Sequence, residues 1–159
     1  MHGSKQIKEI RFRMKSIYTI KNTVNNKIYV GKAQSPEHRH KRHLYLLRTG
    51  KHTSKSLQLD YLKYGESAFR FDVLFSVSDD AEAKRMEVFM MKVLKTQSHE
   101  YGYNDSDKSG TSPGAIASRW RIPAHLWNNC GKAVLHERHP DIYEMVDWTR
   151  KPKVNDRYA

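Results

Sequence analysis

Hydrophobic and polar residues alternate in two short stretches near the start of the chain, a pattern typical of β-strands. The stretches are residues 16–21 and 27–32, and both are rich in β-branched and aromatic side chains. The segment between them, 22–26, contains three asparagines, which tolerate the positive φ values of a tight turn. The sequence therefore predicts a β-hairpin. A further alternating stretch, 68–75, predicts a strand that lies beside this hairpin.

Three other segments, 35–50, 54–65 and 78–94, repeat their apolar residues at helical spacing. The first begins with Ser-Pro, a good start for a helix, and the second begins with a serine and ends at a glycine. The third has acidic residues in its first turn and lysines in its last turn, which complements the helix dipole. We predict a helix in each segment.

The chain after these helices is less regular. Residues 101–104 suit a short extended segment, and a turn-rich connection follows to residue 114. Beyond it, the sequence predicts short helices over 115–120, 123–130 and 141–148. We expect an α+β fold, with a small antiparallel sheet of about three strands flanked by helices and a mostly helical C-terminal appendage. The predicted parts are a tag remnant and basic N-terminal arm (1–13), a compact domain (14–105), and a linker with a small C-terminal segment (106–159).

Length and composition limit the classes of protein that fit. A chain of 159 residues is long enough to bury one core. Its single cysteine excludes an internal disulfide. Its apolar stretches are too short to cross a bilayer, so we expect no membrane and a cytoplasmic location in a bacterial or phage-infected cell.

The positive charge is concentrated in the first third of the chain. Residues 1–55 contain fourteen lysines and arginines against two glutamates, which accounts for the whole net charge of +12. Such a one-sided basic surface is typical of proteins that bind phosphates in nucleic acids. A solvated basic face, an anionic membrane or another acidic partner would also fit the charge alone.

Side chains suited to phosphate chemistry follow one another in a distinctive order along the chain. In chain order they are Tyr18, the run Tyr29-Val30-Gly31, Arg39 and His43 four residues apart, Glu87, and Asn104. This order resembles the GIY-YIG nuclease superfamily, with Ser16 at the first glycine of the name motif. The sequence of residues 14–31 is especially similar to that of the catalytic domains of phage intron-encoded homing endonucleases.

The resemblance implies a metal-dependent endonuclease and a role for each motif residue. Glu87 would bind Mg²⁺ or Mn²⁺, and Arg39 would hold the phosphate in the transition state. Tyr18 would act as, or orient, the general base, with Tyr29 hydrogen-bonding beside it and His43 as a hydrogen-bond partner or base relay. The residues alone leave another interpretation open, in which Glu87 is a helix-surface acid paired with Lys84 or Lys92 and the tyrosines are ordinary core aromatics.

The predicted partner is double-stranded DNA, with a homodimer on DNA left open. Two alternatives also stay open: a restriction-type endonuclease, and a nucleic-acid-binding module that has the fold without turnover. The C-terminal segment is a candidate for DNA contacts or dimerisation. The residues predicted to contact DNA are Lys32, Lys41, Arg42, His52 and Asn104, of which Asn104 is also a candidate to brace the site.

Overall fold

The computed structural model describes residues 14–104, 121–123, 132–145 and 153–155. The predicted N-terminal arm, the predicted helix 115–120 and most of the predicted helix 123–130 lie outside these residues. No helix among the described residues is long and apolar enough to span a membrane.

The central element is a three-stranded antiparallel sheet. Its strands are β1 (Lys15–Asn22), β2 (Ile28–Ala33) and β3 (Phe69–Val77), in the order β2-β1-β3. The predicted hairpin and the strand beside it are both confirmed, since β1 pairs with both neighbours. The α+β fold is confirmed with them.

The three predicted helices are also present. They are α1 (Pro36–Arg48), α2 (Lys55–Tyr64) and α3 (Asp80–Val93), with one turn of 3₁₀ helix, Glu66–Ala68, before β3. The side chains at the starts of α2 and α3 accept hydrogen bonds from backbone N–H groups of the first turn, as N-caps should. Ser35 occupies the N-cap of α1, but its side chain makes no such bond.

The sheet is irregular next to its central tyrosine. Ile17 pairs with Phe75 and Tyr18 pairs with Val73, so Leu74 is an extra residue in β3. A bulge of this kind increases the local twist and changes the direction of side chains. It lies beside the residue that the motif places at the centre of the chemistry.

Two hydrophobic clusters are built from alternate residues of the strands. One contains Ile17 and Val30 and packs with Met86 and Phe89 of α3. The other contains Tyr18 and Ile20 and includes leucines from α1 and α2 together with Tyr103. Because successive strand residues point to opposite faces, helices cover both sides of the sheet.

The C-terminal part differs from the predicted run of helices. It contains α4 (Lys132–Arg138), which the sequence did not predict, and α5 (Pro140–Met145), which overlaps the predicted helix 141–148. Two short strands, β4 (Arg121–Pro123) and β5 (Lys153–Asn155), pair in parallel. Pro123, predicted to begin a helix, lies in β4 instead. Three residues are too few for the alternation that identifies a strand in a sequence.

The helix pair α4–α5 packs on the sheet. Leu135 and Ile142 are fully buried and belong to the same cluster as α3. Asp141 accepts a hydrogen bond from Lys21 of β1 at 3.0 Å and a second from Arg70 of β3. The hydrophobic core on this side of the sheet therefore includes residues far beyond the predicted boundary at 105.

Candidate active site

Tyr18 lies in the central strand with its ring against the neighbouring backbone. It stands opposite Gly31 of β2, and a Cβ atom at position 31 would overlap the Tyr18 ring and hydroxyl. On its other side the ring stacks on Phe71 at a centroid distance of 4.9 Å. Glycine is therefore required at position 31 because any side chain would displace Tyr18.

A chain of hydrogen bonds leads from α2 to the hydroxyl of Tyr18. The backbone N–H of Ser54 donates to Nδ1 of His52 at 3.0 Å. Nε2 of His52 lies 2.7 Å from Nδ1 of His43, and Nε2 of His43 lies 2.7 Å from the Tyr18 oxygen. Each link is within normal hydrogen-bond length and is buried.

The direction of this chain follows from its first donor. A backbone N–H can only donate, so Nδ1 of His52 carries no proton and the ring is neutral with its proton on Nε2. His52 then donates to Nδ1 of His43, and Nε2–H of His43 donates to the Tyr18 oxygen. The hydroxyl proton of Tyr18 must consequently point elsewhere.

Burial is the main reason why His43 and Tyr18 are both neutral. Burial first, and then the nearby His52 and Arg39, lower the pKa of His43 to about 3. Burial and the neighbouring Tyr29 raise the pKa of Tyr18 far above its ordinary value, although Arg39 opposes the rise. At physiological pH, His43 is therefore a neutral hydrogen-bond donor and Tyr18 a neutral phenol.

Arg39 and Tyr29 are the next two residues of the candidate site. Arg39 lies on α1 one turn before His43, its side chain is exposed, and its charge acts on both Tyr18 and His43. The Tyr29 ring centroid lies 6.4 Å from that of Tyr18 and 5.3 Å from that of His43. An exposed guanidinium within electrostatic range of Tyr18 and His43 can bind a phosphate group in a bidentate manner.

Glu87 lies on α3, within electrostatic range of Arg39. Burial raises the pKa of its carboxyl group, while Lys32, Lys84 and Arg39 lower it. The side chain is half-buried, and it forms no hydrogen bond or ion pair with any described residue. The pairing with Lys84 or Lys92 that a surface acid would make is absent. Glu87 also raises the pKa of Tyr18, so the two groups lie within electrostatic range of each other.

Comparison with known proteins agrees with this geometry. A family profile of the GIY-YIG catalytic domain matches residues 14–104. The chain belongs to the GIY-YIG family. It is 41% identical over 96 residues to intron-associated endonuclease 1 of Enterobacteria phage T4. The matched region covers 59% of this chain and 38% of that protein.

Solved structures extend the likeness to the fold. The catalytic domain of the homing endonuclease I-TevI matches with a TM-score of 0.54 and 37% identity, covering 58% of this chain and 99% of that domain. A mutant of the same domain gives the same TM-score at 38% identity, over 62% of this chain and 98% of that one. The predicted membership is therefore confirmed.

The other predicted site residues of the GIY-YIG domain lie at different depths. Lys41 and Arg42 are exposed on α1, whereas His52 is only 7% exposed and lies behind His43. Lys32 is half-buried, 3.5 Å from Asp80 and close enough to Glu87 to lower the pKa of that carboxyl group. The DNA contacts predicted for these side chains stay predictions.

Asn104 has a clear structural partner. Its side-chain oxygen accepts from the Val30 N–H, and its side-chain N–H donates to the Val30 carbonyl, both at 2.9 Å. The amide thus holds β2 between Tyr29 and Gly31, as the bracing role requires. Its predicted DNA contact stays a prediction.

Two contributions to the GIY-YIG site were missed in the sequence. One is the Ser54 backbone N–H that fixes both histidine tautomers, and the other is the Phe71 ring behind Tyr18. A backbone donor leaves no mark in a sequence. Phe71 is one of several phenylalanines in β3, and its spacing from Tyr18 carries no signal.

Proposed function

We propose that this GIY-YIG domain is a metal-dependent endonuclease that hydrolyses phosphodiester bonds at specific sites in double-stranded DNA, as homing enzymes do. The observation that carries the proposal is that three groups lie within electrostatic range of one another: an exposed arginine, a hydrogen-bonded tyrosine, and a carboxylate that forms no ion pair with any described residue. The similarity to an intron-associated endonuclease and to a homing endonuclease domain favours homing over restriction. The chain spans 38% of that curated relative's length, so the proposal concerns the catalytic part.

Each residue of the candidate site would have its own role in hydrolysis. The Arg39 fork would bind the non-bridging oxygens and stabilise the negative charge that grows in the transition state. Tyr18, whose oxygen accepts from His43, would keep its own proton for a hydrogen bond to the attacking water and so orient that water. Because His43 donates to this oxygen, any loss of the Tyr18 proton during the reaction would also be favoured.

The residues present fit a hard divalent cation. Among the described residues there is no group of three or more metal-ligating side chains. Mg²⁺ is nevertheless often bound through a single carboxylate, with waters and a substrate phosphate completing its shell. Glu87, half-buried and unpaired with any described residue, would be that ligand. When bound, Mg²⁺ or Mn²⁺ would neutralise phosphate charge and acidify a water molecule.

The test compares Glu87→Gln with the parent in nicking of supercoiled plasmid, with Mg²⁺, with Mn²⁺ and with chelator. We expect cleavage by the parent only with metal, and a loss of at least about a thousandfold in the variant, because several kcal/mol of transition-state stabilisation disappear. DNA affinity should stay unchanged or rise, since a negative charge near the phosphates is removed. Glu100→Gln, a change at an exposed acid after α3, is the matched control.

Two outcomes would contradict the proposal. If Glu87→Gln cuts within tenfold of the parent rate, Glu87 is a helix-surface acid and the metal lies elsewhere. If the parent binds DNA but never nicks it, with any of the metals, the alternative of a non-catalytic binding module is correct.

A further inference from the structure

Helix α1 has an exposed face beside the one that carries His43. His38, Lys41, Arg42 and Tyr45 follow at helical spacing, and all four are exposed. Together with residues 33–35 at the end of β2 and with Arg39, they line a groove of about 620 Å³. Because Arg39 lines this groove and also acts on the pKa values of Tyr18 and Glu87, the groove adjoins the candidate active site.

The positive charge of this groove is not balanced within the described part of the protein. Arg39, Lys41 and Arg42 form no ion pair with any described residue. Arg48, at the end of the same helix, shows the contrast, since it pairs with Glu66. The groove therefore presents cations to an anionic ligand.

Tyr45 adds a feature that charge alone does not explain. The residue is 56% exposed, and its ring contacts no other aromatic ring of the described residues. The other aromatic rings close to α1, such as Tyr29 and Phe71, contact its histidines. A flat, exposed ring set among cations is the arrangement by which proteins bind the bases and phosphates of an unpaired strand.

We propose that this groove binds the nucleotide next to the cleaved phosphate, with Tyr45 stacked on its base and Arg42 and Lys41 on its phosphate. The proposal rests on the proposed endonuclease function. Arg39 and Arg42 are three residues apart, about 4.5 Å along the helix axis. Two such long side chains can reach successive phosphates of one strand. A volume of 620 Å³ lies in the range of small-ligand sites.

A base can stack on Tyr45 only if it is no longer stacked on the neighbouring bases of the DNA. The groove therefore favours DNA that is locally opened beside the cut, and a short single strand is a sufficient probe. The competing occupant is an acidic protein segment, which would use the same cations but would have no need of a base.

The experiment compares two probes of equal charge. They are a six-residue oligothymidylate and an oligomer of the same length with abasic residues throughout. Binding is measured by fluorescence anisotropy in the Glu87→Gln background, which prevents cleavage. We expect the thymidylate to bind about tenfold more tightly, the size of a single base–aromatic stacking contact.

The variants separate stacking from charge. Tyr45→Ala should abolish the preference for bases and leave abasic binding unchanged, and Tyr45→Phe should retain the preference. Arg42→Gln should weaken both probes alike. Tyr101→Ala is the matched control, because Tyr101 is also an exposed tyrosine beside a lysine, 5.3 Å from Lys95, but lies outside the groove.

Equal binding of both probes by the background protein would overturn the proposal, as would a Tyr45→Ala variant that still prefers bases. Either result leaves the endonuclease function intact if the parent nicks plasmid. A clear base preference without any nicking would instead contradict the endonuclease and leave a nucleotide-binding groove.

Discussion

Leu135 offers the sharpest test of whether the catalytic domain ends near residue 105. Its side chain is 0% exposed and lies in the cluster that contains the strand residues Ile17 and Val30. Replacing a buried leucine by alanine loses transfer free energy and leaves a cavity, at a cost of about 2–5 kcal/mol. Against a total stability of about 5–15 kcal/mol, this is a large fraction.

The cost can be measured by urea unfolding. With a slope of about 2 kcal/mol per molar, a loss of 3 kcal/mol lowers the midpoint by about 1.5 M. Two probes separate the parts of the chain. The tryptophans Trp120, Trp127 and Trp148 all follow residue 104, so their emission reports the C-terminal part. Far-UV circular dichroism reports the helices, of which α1, α2 and α3 are the longest among the described residues.

If α4 belongs to the same cooperative unit as the sheet, both probes shift together in Leu135→Ala. Leu59→Ala is the matched control, because Leu59 is 66% exposed on α2 and its loss should cost less than about 0.5 kcal/mol. A variant in which only the tryptophan transition moves would refute the reasoning. The C-terminal segment would then be the separate appendage that the sequence predicts.

Two further predictions concern the site and the helix pair. Gly31→Ala should leave the circular dichroism spectrum unchanged but slow plasmid nicking about a hundredfold, because the new methyl group displaces the Tyr18 ring; nicking within threefold of the parent would contradict this. Although burial opposes the change, hydrogen bonds from Arg70 and Lys21 lower the pKa of Asp141 to about 2, below its unfolded value of about 3.8. This group therefore stabilises the fold above about pH 4, and the contribution is lost as the pH falls from 4 to 2. Urea midpoints across this range should decline less steeply in Asp141→Asn, and parallel curves would exclude the effect.

The local elements could be predicted because their signals are local. Helix α3 begins at an aspartate cap followed by acidic residues, and α2 ends at a glycine with φ of +83°. The alternation of β1 and β2 fixes which side chains share a face, so it also places Tyr18 and Tyr29 together. The motif order then predicts that Arg39 and Glu87 belong to the same site, and in the structure both act on the pKa of Tyr18.

The remaining features depend on contacts between distant residues. His52 has a sequence context no different from that of a surface histidine, and only the fold places it between Ser54 and His43. Leu135 stands in a segment with few helix signals, and its burial against the sheet depends on residues more than a hundred positions earlier. A single sequence carries no record of such partners, whereas caps and alternation are written within a few residues.

Asn104 has a consequence for how this protein meets copies of itself. Strand β2 is at the edge of the sheet, where unpaired N–H and C=O groups invite another chain to add a strand. The Asn104 side-chain amide bonds to both the N–H and the C=O of Val30, as a neighbouring strand would. The Tyr101 carbonyl accepts from the N–H of Ile28, and the Tyr103 N–H donates to the C=O of Ile28. Asn104 and residues 101–103 thus make, along half of β2, the backbone hydrogen bonds that a fourth strand would make. These bonds leave no free N–H or C=O on Ile28 and Val30 for a strand of another copy, so this half of the edge is protected from aggregation.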